Sequence, residues 1–201
     1  MENLHTNYMG SSSEREDEEK DYTNGSNQEP GWESDESSES FELRRLFEHE
    51  LNGIYCIEGT LMRQLPDLIK YVTLPALLDT LTDHLHITYK HVVRLQEIHD
   101  VLGIEVKERE CEIIKSILRE AQETIEQSSK GIVRDIVAIL AEKKIEQYEI
   151  SIYDTLYAYA MILGERKVAF MLNQNLEDEK KADLDLTEVL ASYVDPTRNN
   201  K

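Results

Sequence analysis

The chain has 201 residues, of which 41 are acidic and 22 are basic, so its formal net charge is −19. This charge argues against binding to nucleic acid or to anionic membrane surfaces, because both require a basic face. No apolar run approaches the ~18 residues of a membrane-spanning helix, and residues 1–10 show no secretory signal. Two cysteines, Cys56 and Cys111, are too few for a disulfide scaffold or a four-cysteine metal site. These features predict a soluble, cytoplasmic protein with reduced thiols and one domain.

The acidic residues are concentrated at the N-terminal end. Residues 1–40 contain twelve acids and two bases, which is −10 of the net charge, and they are rich in Ser, Asn and Gly. Their few apolar side chains follow no period, so burial cannot offset the entropy of ordering this segment. We predict a disordered acidic tail over residues 1–40, which is either a solvated extension or a docking arm for a basic partner. Residues 196–201 are predicted to be a flexible C-terminus.

From residue 41 onward the pattern changes to long amphipathic helices. Seam residues recur at alternating spacings of four and three, which is typical of helices that pack against helices. One seam runs from Phe47 to Val72, and a second runs from Leu77 to Leu102 after a turn at residues 73–76. Gly103 then stands where a C-terminal helix cap is expected.

A second pair of seams has the same spacing and lies over residues 138–163 and 168–193, on either side of Gly164. Between the two pairs, residues 104–131 form a long connection whose middle also has a helical pattern. Two antiparallel hairpins joined by a long crossover have the connectivity of a ferritin-like bundle. We therefore predict an all-α, ferritin-like antiparallel four-helix bundle over residues 41–195, with a long helical crossover between the two hairpins.

Each seam is apolar at its ends and polar in its middle. The mid-seam polar residues are Glu58, His84, Thr88, His91, Glu146, Glu149, Glu179 and Asp183. An unpaired buried carboxylate is destabilising by several kcal/mol, whereas one or two divalent ions would compensate several carboxylates together. Ferritin-like bundles build such sites from Glu and His on facing helices, and these donors suit iron or manganese. Alternatively, each residue alone is a satisfied polar group of the core, and we interpret Glu142 as a charge at the rim.

Hairpin geometry predicts which of these residues meet. Folding the first hairpin about residue 74 places Glu58 opposite His91. His84 lies ~10 Å from His91 along the helix at ~1.5 Å per residue, so we expect His91 rather than His84 in a compact centre. His84 would then support the ligands from outside or bind a displaced site.

The second hairpin contributes an equivalent set of acids. The sequences of the two hairpins are similar at an offset of 91 residues. Matching leucines are expected by chance in helical seams, so the match of Glu58 with Glu149 is the informative part of this similarity. Folding the second hairpin about Gly164 places Glu149 close to Glu179 and Asp183. Both hairpins are thus predicted to bring acids to the middle of the bundle.

Several motifs match a known family. They are Leu46-Phe47-Glu48-His49-Glu50-Leu51 with Tyr55 and Glu58, Leu65-Pro66, His84-Leu85 with Thr88, His91-Val92, Arg94-Leu95, Leu102-Gly103, Glu146, Tyr148-Glu149-Ile150, Tyr153, Thr155-Leu156, and Glu177-Asp178-Glu179-Lys180 with Asp183, Leu186 and Thr187. On these residues, the chain from 43 to 189 resembles the YciE/YciF family of ferritin-like proteins. The resemblance implies a four-helix bundle related to rubrerythrin, a central metal site, a homodimer and a link to bacterial stress responses.

The resemblance also implies a ligand set. The positions that match the family's central polar residues are Glu58, His84, His91, Glu146, Glu149, Glu179 and Asp183. The chain departs from the family pattern at Gly53, where an acid is usual, at Gln147, where His is usual, and at Ile87, where Glu or Gln is usual. Rubrerythrins carry an additional iron module held by four cysteines, and this chain has too few cysteines for one.

We therefore predict a stress-response protein that binds iron or manganese in a dinuclear carboxylate site. Its chemistry would be oxidation of ferrous iron or turnover of peroxide, with Glu149 and a partner such as Glu58 bridging the ions. The other ligands would be terminal: His91, Glu146, Glu179 and Asp183. The alternative is a non-catalytic helical stress or scaffold protein, whose central polar residues fix the register of the bundle or the pairing of a dimer.

Overall fold

The computed structural model describes residues 35–107 and 111–195 of the chain. Within these ranges it contains five helices and no strand: α1 (Asp35–Ile69), α2 (Pro75–Leu102), α3 (Glu112–Glu126), α4 (Ile132–Ile162) and α5 (Arg166–Val194). The predicted all-α fold is confirmed.

Helix α1 begins at Asp35, six residues before the predicted start of the bundle at 41. The structure thus places residues 35–40, which were predicted to belong to the disordered tail, in a helix. Residues 1–34 and 196–201, with the predicted docking arm, lie outside the described residues.

The helices pack as two hairpins with a crossover. Helix α1 packs against α2, and α4 packs against α5. The hairpins meet through contacts of α2 with α5 and of α1 with α4, while the crossover helix α3 packs against α4 and α1. This arrangement confirms the predicted bundle and its helical crossover.

Proline and glycine set the ends of the paired helices. Pro75 opens α2, where its missing N–H leaves no intrahelical bond unmade. Gly103 ends this helix with a left-handed φ of 65°, and the next amide, of Ile104, donates to the carbonyl of His99 at 3.0 Å. Gly164 repeats this Schellman geometry after α4, with a φ of 76°.

The apolar core fills the two ends of the bundle and leaves a polar layer between them. Leu51 and Ile54 on α1 and Leu95 and Ile98 on α2 are fully buried toward one end. Burial of each such side chain stabilises the fold by about 1.5–3 kcal/mol. The seam residues between these apolar ends are equally buried but polar, so the layer they form is the unusual part of the core. None of the described helices is long and apolar enough to cross a membrane.

Candidate metal centre

Four helices contribute one or more polar side chains to the middle layer of the bundle. These side chains are at most 2% exposed, and they are Glu58 on α1, His84 and His91 on α2, Glu146 and Glu149 on α4, and Glu179 on α5. On each helix they continue the same stripe as the apolar core residues, because residues three, four and seven apart share one face. The packing that buries the leucines therefore also buries the acids and imidazoles.

One group of possible ligands, which we call the His84 cluster, consists of His84, Glu146, Glu149 and Glu179. Each residue offers one ligand atom, and these atoms all lie within 4.8 Å of one another. His84 Nδ1 lies 3.2 Å from Glu146 Oε1, and His84 Nε2 lies 3.8 Å from Glu179 Oε2. The cluster combines residues of α2, α4 and α5, so both hairpins are needed to form it.

A second group, the His91 cluster, consists of Glu58, His91 and Glu179. His91 Nδ1 lies 3.0 Å from Glu58 Oε1 and 2.8 Å from Glu179 Oε1. The structure thus places Glu58 opposite His91, as hairpin geometry predicts. Glu179 belongs to both clusters, because its two oxygens face the two histidines.

The two histidines belong to separate clusters, and Glu179 links these clusters. His84 and His91 are two turns apart on α2, but Glu179 on the neighbouring helix α5 lies between them and reaches both. Hairpin geometry compares helices within one hairpin, whereas α2 and α5 belong to different hairpins. Both histidines are therefore in direct contact with the same buried carboxylate.

Asp183 is the one predicted ligand that the structure does not bring into either cluster. Its Oδ1 accepts a hydrogen bond from Lys143 Nζ at 2.7 Å, and its side chain is 21% exposed. The residue one turn after Glu179 on α5 is therefore turned toward α4 and the surface. Asp183 forms a partly exposed ion pair in this structure.

Glu142 was interpreted as a rim charge, and this interpretation is wrong. Its side chain is fully buried, and its Oε2 lies 3.2 Å from His84 Nδ1. Glu142 precedes Glu146 by four residues on α4, so the two carboxylates share a helix face. The i, i+4 spacing was the signal in the sequence that could have identified it.

A hydrogen-bonded network surrounds the His91 cluster. The Tyr153 hydroxyl donates to Glu58 Oε1, and Asn175 Nδ2 donates to the Tyr153 oxygen at 2.9 Å. Arg94 contacts Asn175 and Asp178, and Asp178 Oδ2 lies 3.3 Å from His91 Nε2. Asn175 and Asp178 were not identified from the sequence, because nothing in the seam pattern separates them from ordinary polar residues.

The buried acids of the layer raise the pKa of both imidazoles and so favour their charged forms. Burial alone would lower the pKa of His84, but the nearby Glu146 and Glu142 raise it to about 10. Burial likewise opposes the charge on His91, but Glu58 and Asp178 help to raise its pKa to about 12.

The buried carboxylates of the layer differ in the direction of their pKa shifts. Burial raises the pKa of Glu149 well above its usual value, and the charges of Glu58 and Glu179 raise it further. Burial would also raise the pKa of Glu179, but contact with His91 lowers it. The pKa of Glu179 is thus lowered by its contact with His91, whereas the pKa of Glu149, which burial dominates, is raised.

The donor set fits a divalent metal. Both carboxylate oxygens of Glu149 are buried and have no hydrogen-bond partner among the described residues, and the same is true of Glu58 Oε2 and His84 Nε2. Such unsatisfied buried groups are rare in native proteins and destabilise the fold. A cation bound to these atoms would satisfy them, and oxygen donors with a few imidazoles suit iron or manganese.

Comparisons with known proteins agree with this picture at the level of family and fold. The chain is 34% identical to protein YciF of Escherichia coli (strain K12) over 160 residues, which are 79% of this chain and 96% of that protein. The solved structure of the E. coli stress protein YciF matches with a TM-score of 0.72 at 32% identity, covering 79% of this chain and 98% of that one. YcfI from Rhodopseudomonas palustris, described as a candidate structural protein, matches with a TM-score of 0.69 at 32% identity, covering 72% of this chain and 92% of that one.

The family description that matches the sequence spans most of the described bundle. It is "Domain of unknown function (DUF892)", and it covers residues 42–197. Together with the similarity to YciF, this match confirms the resemblance that the central motifs indicated. The chain therefore belongs to the DUF892 family, with the YciF proteins as its relatives.

Proposed function

We propose that this protein binds iron or manganese in a dinuclear centre at the middle of the bundle. The observation that carries the proposal is the position of Glu179, a buried carboxylate shared by two clusters of potential ligands. A carboxylate with two oxygens suits a bridging position between two cations. The sequence hypothesis assigned the bridge to Glu149 and Glu58, and the shared position favours Glu179 instead.

The remaining residues divide between the two positions. His84, Glu146 and Glu149 would hold one ion, and Glu58 and His91 would hold the other. Tyr153 donates its hydroxyl hydrogen bond to Glu58 and so fixes the orientation of that carboxylate. Hydrogen bonds of this kind orient metal ligands, and their loss commonly weakens metal binding by 10- to 100-fold.

The chemistry that we propose is oxidation of ferrous iron by peroxide or oxygen during stress. Iron in such a centre would supply one-electron steps, so that two ferrous ions together reduce one peroxide, with two protons, to two waters. The protein excludes bulk water from the layer, since all six cluster residues are buried. A relative described as a stress protein supports a protective role.

Metal stoichiometry tests the proposal most directly. Mass spectrometry on tag-free protein, loaded anaerobically with ferrous iron and freed of excess, should give about two ions per chain. Glu179→Gln should reduce this number below about one, because both positions lose a shared ligand. The matched control is Glu177→Gln, which makes the same change at an exposed position of the same helix and should still bind about two. Unchanged stoichiometry in Glu179→Gln would exclude the bridging role.

A second candidate function is a non-catalytic structural role. It is favoured by the network of Arg94, Asn175, Tyr153 and Glu58, which links α2, α5, α4 and α1 without any metal. Buried polar networks can specify one packing arrangement, and the Rhodopseudomonas relative is described in structural terms. This candidate requires that the melting temperature is the same with and without a chelator.

A further inference from the structure

A surface groove leads from solvent toward the His84 cluster. It lies between α2 and α5 and has a volume of about 560 Å³. Its walls include Thr80 and Asp83 on α2 and Ala182 and Asp185 on α5, and His84 lines its inner part. His84 is therefore both a member of the candidate metal centre and part of the groove wall.

The His84 imidazole at the inner end of the groove has one ring nitrogen without a hydrogen-bond partner among the described residues. This nitrogen is Nε2, and the residue is only 2% exposed. Four other cavities of the described part of the chain contain no member of either cluster in their walls. The α2–α5 groove thus joins the surface to a buried atom that can bind a cation.

The outer part of the groove carries balanced charge. Asp83 and Asp185 are opposed by Lys90 and Lys181, so the groove is not simply an acidic patch. The Lys181 ammonium group pairs with Asp185, and the charge of Asp83 acts on the same ammonium. Lys181 therefore occupies the place that a cation attracted by the two aspartates would take.

We propose that the α2–α5 groove is the route by which divalent cations reach the centre, and that Lys181 and Asp185 form its charge gate. The proposal rests on the proposed metal-binding function and adds its path of loading. An arriving cation would displace the ammonium group from Asp185 and pass inward to His84. Lys181 is 67% exposed on its side chain, so it can swing away without disturbing the core.

Two pairs of matched variants test the gate. Lys181→Gln removes the positive charge from the groove, whereas Lys180→Gln makes the same change at a neighbouring lysine that pairs with Glu177 outside the groove. Asp185→Asn removes the attracting charge, with Glu177→Gln as its control. Stopped-flow mixing with Co²⁺, followed by its visible absorption, measures the rate of uptake, and the final absorbance measures the amount bound.

If Lys181 and Asp185 form the gate, their substitutions should change the rate of Co²⁺ uptake in opposite directions. The final amount of bound Co²⁺ should stay the same. At low ionic strength Lys181→Gln should load ~3- to 10-fold faster and Asp185→Asn slower by a similar factor, while the controls should change less than about twofold. These differences should shrink in ~1 M salt, where charges are screened within ~3 Å. Equal uptake rates for Lys181→Gln and Lys180→Gln would overturn the proposed route but not the proposed metal site. Failure of the unmodified protein to bind Co²⁺ at all would overturn the proposed metal site and the route with it.

Discussion

Glu149 is one of the buried carboxylates of the middle layer. It is fully buried among other carboxylates, and neither of its oxygens has a hydrogen-bond partner among the described residues. Its raised pKa means that the folded protein without metal keeps a proton that the unfolded chain releases above its ordinary pKa near 4.5. A group with a raised folded pKa loses its contribution to stability as the pH rises. Metal-free protein should therefore lose stability above pH 4.5 on account of Glu149.

Glu149→Gln should remove this dependence. In the presence of a chelator, the variant should gain stability relative to the unmodified protein as the pH rises from 5 to 8, by up to about 1.4 kcal/mol per pH unit. Urea unfolding at several pH values measures this difference, with Glu188→Gln on the exposed face of α5 as the control. With metal present the order should reverse, because the variant has lost a ligand. A variant that is less stable than the unmodified protein at pH 8 in chelator would contradict this account of Glu149.

The helices are tied together away from the centre by one buried carboxylate. Asp135, in the first turn of α4, accepts hydrogen bonds from the backbone N–H and the hydroxyl of Thr73, both at 2.7 Å, and from the Tyr193 hydroxyl at 2.8 Å. Thr73 lies in the α1–α2 connection and Tyr193 in the last turn of α5. Asp135 is 1% exposed, and these three donors, together with the N-terminus of α4, stabilise its buried carboxylate. It thus fixes three parts of the chain at the end of the bundle where α4 begins.

Loss of this carboxylate should destabilise the fold without changing the metal site. Asp135→Ala should lower the free energy of unfolding by about 2–4 kcal/mol, because it leaves three donors without their shared acceptor. Asp135→Asn should have a smaller effect, since one amide oxygen can still accept. Denaturant unfolding measures both changes, and Asp154→Ala on the exposed face of α4 is the control. Metal stoichiometry below the melting temperature should stay at that of the unmodified protein, and a loss of metal in Asp135→Ala would show that this end of the bundle is coupled to the centre.

At the scale of the whole molecule, metal binding and folding should be linked. Neither cluster exists without the packing of both hairpins, so the unfolded chain has no equivalent site. A ligand that binds only the folded state stabilises it by about 2.7 kcal/mol at a concentration of 100 Kd. For a chain of this size that corresponds to a rise in melting temperature of about 5–11 °C.

Chelation should lower the melting temperature by this amount, and added Mn²⁺ or ferrous iron should restore it in a concentration-dependent way. Differential scanning calorimetry on protein treated with chelator and on metal-loaded protein makes the comparison. Ca²⁺, which prefers more oxygen ligands and no imidazole, is a suitable control ion. An identical melting temperature for chelator-treated protein, metal-loaded protein and protein with Ca²⁺ would favour the non-catalytic structural role.

The fold was accessible from the sequence because each seam repeats at helical spacing over several turns, and because Gly103 and Gly164 mark the ends. The contact of Glu58 with His91 was accessible for the same reason, since both lie within one hairpin. The shared position of Glu179 could not be predicted from the sequence, because it depends on how α5 is rotated against α2 in the other hairpin. The orientation of Asp183 toward Lys143 depends on the same rotation, which a one-dimensional pattern does not contain.

The shared position of Glu179 has a consequence for how the centre would fill. The first ion to bind would fix the orientation of the Glu179 carboxylate, including the oxygen that faces the second position. Binding of the second ion would then no longer include the entropy cost of ordering this side chain. Each ion would then raise the affinity for the other by the same factor, since coupling between two binding events is reciprocal. Chains with a single ion would be scarce during a titration, and the population would divide between empty and fully loaded molecules.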